Sequence, residues 1–114
     1  MQKSSNCADY MVEFKKALNG ELEICYFENS QDSAFRSWVL PKEIVYELIL
    51  WWKKLQKNNI QLPIIEKTDI CEFNMFTEKS LDIRESVSLR GLTLVGYLLP
   101  KVVVEELIDW DGNK

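Results

Sequence analysis

Residues 39–51, VLPKEIVYELILW, return as LLPKVVVEELIDW at 98–110. Eight of the thirteen positions are identical: Leu40/Leu99, Pro41/Pro100, Lys42/Lys101, Val45/Val104, Glu47/Glu106, Leu48/Leu107, Ile49/Ile108 and Trp51/Trp110. The offset of 59 residues holds without a gap back to residue 11. There MVEFKKALNGELEI (11–24) lies over ICEFNMFTEKSLDI (70–83), with Glu13/Glu72, Phe14/Phe73, Leu22/Leu81 and Ile24/Ile83 identical. A repeat at fixed period means that one supersecondary unit is used twice, so an element assigned in one copy needs its counterpart in the other. At 114 residues the chain has the length of a single domain (1–114), with copy one at about 11–57 and copy two at about 70–112.

That constraint decides the first element. Tyr10, Phe14 and Ala17/Leu18 recur at helical spacing, and Asn19-Gly20 would suit a C-cap. The matching segment ICEFNMFT (70–77) is β-branched and aromatic and reads as a strand. Residues 11–18 are therefore expected to be a strand, with a helix over 7–19 as the alternative. Asn19-Gly20 becomes a hairpin turn. A two-residue turn would mix apolar and charged partners on each face. A three-residue loop with glycine at the bulge sets Ala17 opposite Glu21, and Val12 and Phe14 against Tyr26 and Ile24.

Residues 28–33 (ENSQDS) read as a polar loop and 34–40 as a third strand. Pro41 opens a helix, since its missing N–H costs nothing at the first position. The apolar face of that helix is Ile44, Leu48, Trp51/Trp52 and Leu55, and Lys53, Lys54 and Lys57 suit its negative end. Residues 60–69 join the halves, with room for a short strand. Copy two is expected as strands 70–77, 80–87 and 91–99 and a helix 100–110 closed by Gly112. In it VSLRGL (87–92) lengthens two strands around a turn at Arg90-Gly91. The predicted fold is α+β: an internally duplicated β-β-β(-β)-α unit with antiparallel sheets. One helix per repeat covers one side of each half-sheet, and the halves are related by a pseudo-twofold.

The chain has no histidine, which removes Ser–His and Cys–His nucleophilic pairs and nearly every transition-metal site. No carboxylate pair has the spacing of an acid–base site, so the chain reads as a non-enzyme without cofactor or metal. The tail Asp109-Trp110-Asp111-Gly112-Asn113 is too short for a calcium loop. Three cysteines, odd in number and without C-x-x-C, read as free thiols in a reducing compartment. No apolar run approaches the ~18 residues of a membrane span, and the start MQKSSNCADY lacks an apolar h-region. A cytoplasmic protein with no membrane partner is expected.

The net charge is −4, the wrong sign for a protein that must neutralise phosphates. In the hairpin register above, one sheet face carries Glu13, Glu21, Glu23, Glu72 and Asp82, opposed mainly by Lys15 and Arg84. These acids are either solvated surface or a negative platform for a cationic partner. Features present in one copy alone are not demanded by the repeat. They are the ENSQDS loop with Glu28 and Asp32, and Trp52, whose counterpart is Asp111 and which is expected to reach the surface.

A duplicated strand-rich unit, each copy closed by one helix, resembles the layout of the Whirly-type nucleic-acid-binding proteins over 11–51 and 70–110. That resemblance implies single-stranded nucleic acid lying on the sheets, held by basic and aromatic residues; Lys15, Lys16, Arg36, Lys53, Lys54 and Lys57 are the candidates. The sheet positions carry acids instead. An acidic protein of this size and layout is similar to the small bacterial immunity proteins of contact-dependent growth inhibition, which bind and block a cognate toxin, commonly a nuclease with a basic active site. This second resemblance implies an antitoxin-type toxin inhibitor that occludes the active site of a basic toxin, a ribonuclease. The resemblance carries over no residue; the sheet-face acids and the features of copy one alone make Glu13, Glu21, Glu23, Glu28, Asp32, Glu72, Asp82 and Trp52 the candidate partner-binding residues. Single-stranded nucleic-acid binding is the alternative.

Overall fold

In the computed structural model the described residues are 10–28, 35–57, 61–89, 91 and 93–112. The element order is β1 (Tyr10–Lys16), β2 (Leu22–Glu28), β3 (Phe35–Leu40), α1 (Lys42–Leu55), β4 (Ile64–Lys67), β5 (Cys71–Met75), β6 (Ser80–Glu85), β7 (Gly96–Pro100) and α2 (Lys101–Gly112). Two antiparallel sheets result, β1-β2-β3 and β4-β5-β6-β7, with one helix per copy. This is the duplicated β-β-β(-β)-α unit, and β4 is the extra strand. The chain divides into two compact units, Met1–Leu40 and Pro41–Lys114.

Residues 10–16 are a strand, not a helix. The hairpin register pairs Val12 with Tyr26, Phe14 with Ile24 and Lys15 with Glu23. Ala17 N donates to Glu21 O at 2.8 Å, which closes the three-residue loop Leu18-Asn19-Gly20. Gly20 has φ 93°, a backbone region that costs a side chain bearing Cβ but not glycine. The Asn19 side chain accepts from Glu21 N at 3.0 Å and fixes the turn. β3 continues the alternation, pairing Tyr26 with Arg36 and Ile24 with Trp38. One face of this sheet therefore buries Leu22, Ile24, Tyr26 and Leu40.

Pro41, extended at φ −58° and ψ 148°, is the N-cap of α1, and its carbonyl accepts from Val45 N at 3.1 Å. The buried stripe is Ile44, Leu48, Trp51 and Trp52. In sequence α1 closes copy one, but it packs on the sheet of copy two. The Trp51 indole stacks on Phe73 of β5, with centroids 4.6 Å apart and planes at 7°. Its Nε1 donates to Glu66 Oε1 of β4 at 3.0 Å, and Lys54 pairs with the other Glu66 oxygen at 3.2 Å. The unit boundary accordingly falls before α1, at Pro41, and not after residue 57 where the repeat ends.

The second sheet corrects one expected extension. β6 stops at Glu85 and β7 starts at Gly96, so the strands do not run on to a turn at 90–91 (Arg90 lies outside the described residues). The cause is local side-chain bonding that replaces the ladder. Glu85 N donates to Val95 O at 3.0 Å, but Val95 N donates to the carboxylate Oε1 of Glu85 at 3.1 Å. The Ser88 hydroxyl donates to the carbonyls of Gly91 and Thr93. The second Glu85 oxygen accepts from Tyr97 OH at 2.9 Å, which satisfies a carboxylate only 4% exposed.

Candidate partner-binding surface

The side of the first sheet opposite its buried face is built in cross-strand rows. Met11, Phe27 and Phe35 form one row, Glu13, Cys25 and Ser37 the next, and Lys15, Glu23 and Val39 the third. Alternation along each strand puts all nine on one face. The first row is apolar and open to solvent: Met11 is 56% exposed, Phe27 38% and Phe35 58%. The Phe27 and Phe35 rings lie 4.9 Å apart at 45°, a tilted contact that holds both rings in place. Val39 is also exposed. Beside this apolar strip Glu13 and Glu23 are exposed, and neither forms an ion pair among the described residues.

The equivalent face of the second sheet differs. Glu72 is the cross-strand neighbour of both Lys67 and Arg84, and Asp82 Oδ2 bonds Arg84 Nε at 3.0 Å. The position of Cys25 is taken there by Arg84, and those of Phe27 and Phe35 by Ser86 and Leu94. The second copy pairs Asp82 with Arg84 and lacks the aromatic pair.

The eight partner-binding residues expected from sequence are thus distributed as follows. Glu13 and Glu23 share the outer face of the first sheet, with Glu21 at the hairpin end of it. Glu72 and Asp82 belong to the second sheet, so the five acids do not form the surface of a single sheet. Glu28 is not in the divergent loop but ends β2, on the same side as Tyr26, whose OH donates to Glu28 Oε2 at 3.1 Å. Asp32 lies outside the described residues. Trp52 does not reach the surface. It is 4% exposed and meets Trp51 edge-on at 6.0 Å, because two adjacent tryptophans on a helix both fall within the wide apolar stripe.

Sequence reasoning missed Met11, Phe27, Phe35 and Val39. The signal was present, since the alternation that turns Glu13 outward also turns Met11 and Phe27 outward. The basic residues considered for nucleic acid do not share one sheet face. Lys15 is on the outer face of the first sheet. Arg36 is on its opposite side, its guanidinium 5.4 Å from the Tyr26 ring centre and 5.5 Å from that of Trp38. Lys53 and Lys54 close α1 in the other unit. Burial first, and then the hydrogen bond to Glu28, push the Tyr26 phenol above its ordinary 10.0.

Among the described residues no three His, Cys, Asp or Glu side chains are grouped as a metal ion would need, and no helix is long and apolar enough to cross a membrane. Comparisons with protein-family models, with curated proteins and with solved structures gave no match.

Proposed function

We propose that this protein is a binding-only inhibitor of the immunity type, which docks the outer face of its first sheet on a basic toxin domain, a ribonuclease, and occludes the active site. The observation that carries this reading is the pairing of exposed aromatic side chains with two exposed acids on that one face, Glu13 opposite Cys25 and Glu23 opposite Lys15, neither of which forms an ion pair among the described residues. Phe27 and Phe35 sit one row from Glu13 and two rows from Glu23. Aromatic anchors that exclude water supply the slow dissociation of tight complexes. Acids around them raise the encounter rate with a cationic partner. The copy that lacks the anchors pairs Asp82 with Arg84, so the aromatic pair is not demanded by the fold.

A basic toxin domain is expected to be encoded beside the gene of this protein, and its absence would count against the proposal; that domain is the test partner. Co-expression should restore growth, and one equivalent of the chain should abolish ribonuclease activity in vitro. Glu13→Lys with Glu23→Lys should slow association, most at low salt. Phe27→Ser with Phe35→Ala should speed dissociation by roughly 30-fold or more, the value of a ~2 kcal/mol hot spot. Both variants should melt near the parent, because the changed side chains are exposed. Ribonuclease activity unaffected by equimolar chain would refute the proposal. Retention of single-stranded RNA at low ionic strength, lost steeply with salt, would favour the nucleic-acid reading instead.

A further inference from the structure

Trp52, buried rather than exposed, forms one wall of a cavity of about 300 Å³ that Leu62, Met75, Glu78 and Lys101 also line. All five residues belong to the second unit. This volume is at the small end of the range for small-molecule sites, the size of a metabolite rather than of a nucleotide. The repeat does not dictate this composition. At an offset of 59 the counterparts of Trp52, Met75 and Glu78 are Asp111, Lys16 and Asn19, so the apolar wall and the acid belong to this copy alone.

Among the described residues the polar members are one cation and one anion. Among the described residues the ion-pair partner of Lys101 is Glu105, with Oε2 at 3.8 Å, the outer limit of an ion pair, which leaves ammonium donors open. Glu78 forms no ion pair among the described residues. A ligand with a single charge would pair with one of these groups and face the like charge of the other. A zwitterion pairs with both, and Trp52, Leu62 and Met75 require an apolar body. We infer that this cavity binds a free α-amino acid with a large apolar side chain. The side chain lies against Trp52, Leu62 and Met75, the carboxylate at Lys101 and the ammonium at Glu78. This inference is independent of the docking face of the first sheet.

Titration of the full-length, isotopically labelled protein with L-phenylalanine tests it by amide and indole NMR shifts. Saturable shifts are expected at the Trp52 indole N–H and the amides of Leu62, Met75, Glu78 and Lys101. 3-Phenylpropanoate and 2-phenylethylamine, each lacking one charge, should bind at least roughly tenfold more weakly, the equivalent of one lost charged contact. Lys101→Met should erase the preference for L-phenylalanine over 2-phenylethylamine. Glu78→Gln should erase the preference over 3-phenylpropanoate. Both residues are at the surface, so both variants should fold. Absence of saturable shifts at about 10 mM ligand, weaker than any specific site, would overturn the inference. So would equal binding of a single-charge analogue to the parent, or shifts confined to Phe27 and Phe35.

Discussion

The stack of Trp51 on Phe73 joins the helix of one copy to the sheet of the other, and its energy is measurable. Truncating a buried tryptophan to alanine costs about 3–5 kcal/mol, as lost burial plus residual cavity. The nearly parallel rings at 4.6 Å add a pair term of about 1 kcal/mol beyond area. The Nε1 bond to Glu66 is charge-assisted, but that carboxylate is 37% exposed and also pairs with Lys54, so about 1 kcal/mol is the share to assign it. Trp51→Ala should therefore remove about 5–7 kcal/mol, a large part of the 5–15 kcal/mol typical of a domain. Leucine variants keep the protein folded for a double-mutant cycle. Urea unfolding of Trp51→Leu, Phe73→Leu and the pair should give a coupling of about 1 kcal/mol. Additivity within about 0.3 kcal/mol would mean that the two side chains do not touch. The assignment of α1 to the β4–β7 sheet would then fall.

Two further outcomes are expected. Glu85→Ala strips the acceptors from Val95 N and Tyr97 OH inside the fold and should cost about 3 kcal/mol. Glu85→Gln keeps one acceptor and should cost about half of that; urea midpoints compare the two, and amide exchange over 86–95 should quicken in both. In alkali, stability should fall. Burial raises the Cys71 thiol above 9.0 against the opposing hydrogen bond from Thr68, and burial with the Glu28 bond raises Tyr26 above 10.0. Above each ordinary value the unfolded chain releases a proton that the folded chain retains, so each group removes up to about 1.4 kcal/mol per pH unit until its folded value is reached. Urea midpoints between pH 7 and pH 11 should decline from about pH 9, and Cys71→Ala should delay the decline towards the tyrosine range.

The repeat made most of the fold legible, because period and alternation are local properties of the chain. Phe73 in a strand-like segment forced Phe14 into a strand against its helical spacing. The chemistry of Asn19-Gly20 then set a register in which Val12 meets Tyr26 and Phe14 meets Ile24. Acids on the outer face followed from the same parity. Tertiary structure decided what depends on partners distant in sequence. Nothing local to Trp51 says that its indole will lie on Phe73 and bond Glu66, since an apolar stripe asks only for an apolar surface. Trp52 is buried by the same packing, although its counterpart in the other helix is an aspartate. Strand lengths in copy two were misjudged because Glu85 and Ser88 offer side-chain oxygens that compete with the ladder, and propensity does not weigh such bonds. Whether an outward acid stands alone was also undecidable from sequence. Asp82 is countered by Arg84, while Glu13 has Cys25 as its cross-strand neighbour, and that difference lies in the pairing across strands.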